Sequence, residues 1–159
     1  MDWKGEEITK VAEIIEAAET LVIRDKENHL LRDYHLYEQY FTMRKRQFSI
    51  IKQMLPIIAR INKRDEMSLE LALFFVELSE AVHPGDTSII FIHRLQELNE
   101  LLKNQPLPKT EETFQLRASI TQLLFLLETY FLIKANYLQT QTKTNKKRRD
   151  GTFHSRLPF

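Results

Sequence analysis

Between Glu6 and Leu55 the chain holds neither glycine nor proline, and its apolar residues fall at helical spacing. Ile8, Val11, Ile15, Ala18 and Val22 succeed one another by three or four residues, which places them on one face of a helix. Asp25, Lys26, Glu27 and Asn28 then interrupt that face and mark a bend or a change of register. The stripe resumes at Leu30, Tyr34, Tyr37, Phe41, Arg44, Phe48, Ile51, Leu55 and Ile58, in alternating steps of four and three, the seam spacing of packed helices. A second stripe, Ile50, Met54, Ile57 and Ile61, widens the apolar face. A helix buried on two sides belongs inside a bundle rather than in a two-stranded coil.

Pro56 sits inside this pattern. It removes one helical hydrogen bond and crowds the carbonyl four residues back, so a kink is expected near Lys52 and Gln53, with the helix ending near Asn62. Asp65 or Ser68 is placed to cap the next helix, which carries Leu71, Phe74, Phe75, Leu78 and Val82. A further helix carries Ile89, Ile92, Leu95, Leu98 and Leu102. The segment "NQPLPKTEE" then breaks the chain, because its two prolines forbid helix there. Thr110 is a good N-cap, and Glu111 and Glu112 fall in the first turn of the last helix, where carboxylates suit the helix dipole. That helix is expected over about 111–141, with Phe114, Ala118, Leu123, Leu127, Phe131 and Leu138 among its apolar positions. The pattern predicts an all-α antiparallel bundle of four main helices, with a very long first helix whose one candidate break lies near residue 28.

Composition agrees with this class: 159 residues suit one domain, and only 3 glycines and 5 prolines leave few turns. With no cysteine, disulfides, thiolate metal sites and cysteine nucleophiles are excluded. The most apolar stretch, residues 120–138, is interrupted by Gln122, Glu128 and Lys134 and reads as the central helix of a soluble bundle. The first ten residues are mixed in charge and lack the apolar core of a signal peptide.

Charge is unevenly spread. Residues 143–159 hold Lys143, Lys146, Lys147, Arg148, Arg149 and Arg156 against Asp150 alone, a net +5; the whole chain is +1, so the remainder is −4. The expected division is a helical domain over 1–142 and a basic, flexible tail over 143–159.

His83-Pro84-Gly85-Asp86-Thr87 lies between two helical stretches. Pro84 stops the incoming helix, Gly85 tolerates a positive φ, and Asp86 can cap the outgoing helix, so the pentapeptide reads as a corner. His83 with Asp86 is too little for a catalytic pair. His29, His35 and His93 find no partner at ligand spacing, and no nucleophile motif or phosphate loop is present. Neither an enzyme, a metal nor a cofactor is expected.

The corner and two other segments resemble one known family. His83, Pro84, Gly85 and Thr87; Leu107, Pro108, Lys109, Thr110, Glu112, Phe114, Arg117 and Ala118; and Phe41, Met43, Arg44, Gln47 and Met54 are similar to the C-terminal domain of the putative aromatic acid exporters, bacterial inner-membrane proteins related to the fusaric-acid-resistance transporters. The sequence departs from that pattern at Asp86 and Leu116, each in place of asparagine, at Glu111 in place of arginine and at Thr113 in place of glutamate. The resemblance spans roughly residues 5–140. It implies a non-catalytic cytoplasmic module that follows a membrane-spanning half absent from this chain, with a role in assembly, gating or substrate sensing.

Within that frame Arg44 is a candidate carboxylate receptor, since a guanidinium binds a carboxylate through two parallel bonds and Tyr34, Tyr37, Tyr40 and Phe41 can stack on an aromatic ring. Structurally, the same Arg44 instead snorkels or pairs with an acidic neighbour. Arg117 either joins the ligand site or ties its helix to exposed carbonyls of the corner or the prolyl loop; the tie is the favoured reading. Lys146, Lys147, Arg148 and Arg149 are either a solvated end or a contact for anionic lipid, and nucleic acid is disfavoured. The alternative for the whole chain is a free-standing helical protein that self-associates as a homo-oligomer and holds an anionic partner through its tail.

Overall fold

The computed structural model describes residues 5–28, 34–61, 65–81 and 87–151, with side chains at all of these except 25–28, 34–36, 144–145 and 147–151. The described residues form five helices and no strand: α1 (Glu6–Asn28), α2 (Tyr34–Ile58), α3 (Glu66–Glu80), α4 (Ser88–Asn104) and α5 (Glu111–Gly151). The all-helical class is as expected. The helix number and the long first helix are not. The stretch expected as a very long helix with a candidate break near residue 28 is two helices, α1 ending at Asn28, and the longest is α5, with 41 residues.

The polar run at 25–28 ends α1, and the chain then reverses. Lys45 on α2 pairs with Glu19 on α1 at 2.9 Å, and Ile15 and Phe48 line a common groove, so the two helices run antiparallel. This hairpin explains the two apolar stripes of α2. Met43, Gln47, Met54 and Ile57 are buried toward the bundle, continuing the second stripe backwards. Phe41, Arg44, Phe48 and Ile51 of the first stripe face α1. Helix α2 is thus held on two sides, with α1 on one and α5 on the other.

The contacts of α5 set the rest of the packing. Gln141 bonds Gln39 at 2.9 Å and Gln47 bonds the Tyr130 carbonyl at 3.2 Å, an antiparallel register with α2. The Phe91 and Phe131 rings stack at 5.4 Å, and Arg117 reaches the Leu102 carbonyl at 2.9 Å, an antiparallel register with α4. Arg94 on α4 bonds Glu70, Glu77 and Glu97, tying α3 to α4 across their shared surface. Its pKa lies above the usual arginine value, chiefly through the Glu97 hydrogen bond. At the centre Phe74 stands edge-on to both Phe91 and Phe131, 5.6 and 6.4 Å away, with Leu95, Leu98, Leu123, Leu124 and Leu127 around them. No described side chain of α1 belongs to this core.

Helix ends follow local chemistry. Asp65 and Ser68, each a candidate cap, act together: the Asp65 carboxylate accepts from the Ser68 amide, and the Ser68 hydroxyl accepts from the Asp65 amide, both at 2.8 Å. Thr110 caps α5 in the same reciprocal way with Thr113, at 3.2 Å in each direction. Threonine at that third position does what glutamate does in a capping box. Helix α4 takes Thr87 rather than Asp86 as its N-cap, with no side-chain capping bond. The corner residues His83, Pro84, Gly85 and Asp86 lie outside the described residues. Helix α2 stops at Ile58, not near Asn62. Pro56 sits in its last turn, and the bonds beyond tighten to Arg60 on Ile57 and Ile61 on Ile58. Helix α5 runs ten residues past its expected end.

Two apolar expectations fail on the bundle surface. Phe114 is 57% exposed and Ile89 59%, while Leu116 and Phe91 are buried instead. One segment of α5, Glu111–Lys143, is long and apolar enough to cross a membrane by length and composition. In this fold its apolar side, through Ile120, Leu123, Leu124 and Leu127, forms the bundle core.

Candidate functional site

Helices α1, α2 and α5 enclose a groove of about 290 Å³. Its walls are apolar: Val11, Ile14, Ile15 and Ala18 come from α1, and Phe41, Phe48 and Ile51 from α2. The polar groups in it are Arg44, Gln47, Tyr40 and Tyr130, and no Asp or Glu lines it among the described residues.

The helical repeat assembles this polar cluster. Tyr40, Arg44 and Gln47 are four and then three residues apart on α2, so they stack along one edge. Arg44 Nε donates to the Tyr40 hydroxyl at 3.0 Å, and Nη1 donates to Gln47 Oε1 at 3.2 Å. The guanidinium carbon lies 5.1 Å from the Tyr40 ring centroid, a cation–π distance. Gln47 is 2% exposed, and its amide nitrogen is spent on the Tyr130 carbonyl of α5. That bond fixes the amide, so its oxygen points at Arg44. Burial pushes the Tyr130 phenol above its ordinary pKa, and the Arg44 charge partly opposes the shift. Tyr130 is therefore a neutral phenol at physiological pH. Tyr137, which meets Tyr40 edge-on at 6.1 Å, is also raised, by burial first and then by Tyr40.

Arg44 differs from the two cations that pair with carboxylates on a neighbouring helix. Lys45 has Glu19 and Arg94 has three carboxylates. Arg44 is partly buried and meets only neutral groups among the described residues, with Nη2 bonded to none of them. Chemically this is a cation with a free edge in an apolar cleft, suited to a planar anion.

The other candidate residues are not brought to it. Tyr37 is 59% exposed and does not line the groove; Tyr40, one turn on, takes the place beside Arg44. Arg117 sits thirteen residues along α5 from Tyr130, about 20 Å away. Its guanidinium bonds the carbonyls of Leu102, Gln105 and Pro106 at 2.9, 3.4 and 3.1 Å, the tie to the prolyl loop. It satisfies carbonyls left open at the end of α4 and places a cation at that helix C-terminus. In the tail, Lys146 is exposed on α5; the side chains of Lys147, Arg148 and Arg149 lie outside those described. Gln47 and Tyr130 were missed as site residues. A signal existed for Gln47, a polar residue at spacing that fits the stripe Ile50, Met54 and Ile57.

Comparison with known proteins gives this geometry a setting. The sequence profile of a family described as "Putative aromatic acid exporter C-terminal domain" matches residues 1–135. The "Uncharacterized protein YqjA" of Bacillus subtilis (strain 168) is 38% identical over 136 residues, which cover 86% of this chain and 42% of that protein. The chain therefore spans less than half the length of this curated relative. A crystal structure titled as a putative membrane protein from Clostridium difficile 630 superposes with a TM-score of 0.78 over 87% of this chain and 83% of that one. At 18% identity that likeness shows a shared fold.

Proposed function

Because the chain belongs to the family of putative aromatic acid exporter C-terminal domains, we propose that it is a non-catalytic sensing domain on the cytoplasmic side of an inner-membrane exporter, and that its groove receives the carboxylate of an aromatic acid. The observation that supports this reading is the Arg44 guanidinium, partly buried in an apolar groove without a carboxylate partner among the described residues. Holding a charge out of water without a counter-ion costs stability, and an arriving carboxylate recovers that cost through charge-assisted bonds. Nη1 and Nη2 present the edge that takes a carboxylate in two parallel bonds. The Tyr40 hydroxyl already accepts from Nε, so its own hydrogen is free to donate to the same anion. An aromatic ring attached to that carboxylate would lie among Phe41, Phe48, Ile51 and the α1 residues.

Isothermal titration of the domain with benzoate and with benzamide separates the charge from the ring. Benzoate is expected to bind at least tenfold more tightly than benzamide, and Arg44→Gln to remove the difference, because a charge-assisted pair contributes about 1.5–3 kcal/mol. Benzoate binding that survives Arg44→Gln unchanged would refute the receptor role.

A second reading, self-association as a homo-oligomer, draws support from α5. Phe125 and Leu132 lie one heptad apart and are exposed on its outward face. Light scattering over a concentration series tests it: a dimer that Phe125→Ser returns to monomer supports assembly, and a monomer throughout removes it.

A further inference from the structure

We propose that the end of the molecule where α5 outruns α2 is a membrane-facing surface that binds the head groups of anionic phospholipids. The register of the two helices locates it. Gln141 sits opposite Gln39, and α2 begins at Tyr34, so α5 leaves its neighbour near residue 146 and continues as helix to Gly151. Lys146, Lys147, Arg148 and Arg149 fall in this last stretch, with Lys143 one turn before it, opposed only by Asp150. Lys143 and Lys146 are exposed and have no carboxylate partner among the described residues.

The opposite end is mixed in charge, with Lys109 and Arg117 beside its carboxylates. Glu111 and Glu112 open α5, and Asp65 and Glu66 stand at the start of α3 beside the same prolyl loop. With 41 residues in α5, the two ends are about 60 Å apart. An elongated body with a concentrated basic charge at one end and mixed charge at the other orients in the field of an anionic surface, basic end inward. The helix dipole alone favours a cation or two in the last turn. Five cations in seven residues exceed what half a unit of dipole charge requires.

Lipid is favoured over nucleic acid for two reasons. The cations are gathered at one tip rather than along a face that could follow a phosphate backbone. The second reason rests on the proposed exporter function: a domain of that family working beside a membrane-spanning half would have anionic head groups nearby. The proposal is independent of Arg44, which lies on α2 nearly three turns from its start.

Vesicle flotation of the full chain tests it. Vesicles of phosphatidylcholine with phosphatidylglycerol are expected to carry the protein upward, and those of phosphatidylcholine alone are not. Each basic residue near the surface contributes roughly fivefold to partitioning. Replacing Lys143, Lys146, Lys147, Arg148 and Arg149 together by Gln should therefore reduce it at least 100-fold, and added salt should weaken the wild type. A variant with Lys143, Lys146 and Lys147 changed to Arg should float as the wild type does, which separates loss of charge from loss of fold. Equal flotation of the Gln variant, flotation on phosphatidylcholine alone, or tight binding to a DNA duplex with no partitioning to vesicles would overturn the proposal.

Discussion

At the scale of single residues, the fold sorts cations by what they neutralise. Arg117 serves backbone. It was legible as a tie because it stands two turns after Thr110, on a helix that begins beside a loop with two prolines and open carbonyls. Arg117→Met removes three such bonds from a partly buried site, and urea unfolding should show a loss of about 2 kcal/mol. Arg44 was legible as the charged break in an apolar seam, but its surroundings were not. Tyr37 and Tyr40 are both within reach in sequence, and the four-residue step favours Tyr40. Gln47 was passed over because an isolated glutamine at core spacing looks like a surface residue until a partner on another helix is known. Tyr130 carries a pH dependence. Its folded pKa lies above the ordinary 10.0, so the neutral phenol is favoured in the fold. The stability this gives is complete below pH 10.0 and is lost as pH rises through the higher folded value. Tyr130→Phe should leave the neutral-pH melting temperature nearly unchanged and shift alkaline unfolding, followed by circular dichroism, to higher pH.

At the scale of elements, periodicity gave helix type and facing but not direction. The apolar stripes on either side of residues 25–28 read as one line because spacing carries no record of a chain reversal. The polar run was the visible sign, and it turned out to end a helix rather than bend one. The same limit misplaced Phe114 and Ile89: each keeps helical spacing with true core residues, but near a helix start the core stripe had shifted to Leu116 and Phe91. Helix starts were easier, since caps use short-range chemistry. Thr110→Ala removes half of a reciprocal cap and should cost about 1 kcal/mol in thermal or urea unfolding, whereas Thr113→Glu should cost nothing measurable. Helix α1 supplies one wall of the groove and, among its described side chains, no core residue. Removing residues 1–28 should therefore leave a cooperatively folding bundle by calorimetry while abolishing benzoate binding.

At the scale of the whole molecule, the bundle divides along α5. Its first half packs with α3 and α4 around Phe74, Phe91 and Phe131, with Met54 and Ile57 of α2 in the same core; its second half packs with the rest of α2, on whose far side lies α1. The aromatic knot anchors the first half, and Phe74→Ala should cost about 4 kcal/mol, read as a fall in the urea midpoint. The groove lies where the two halves meet, beside Tyr130 and one residue from the Phe131 ring. A ligand held by Arg44 would touch α1, α2 and α5 together, so occupancy would change how α1 rests on the bundle. The most direct measurement is the nitrogen-15 spectrum of the arginine side chains during a benzoate titration. The Arg44 Nε–H resonance should move saturably while those of Arg94 and Arg117 stay in place. Saturable benzoate binding with the Arg44 resonance unmoved, or no binding at all, would contradict a carboxylate site in this groove.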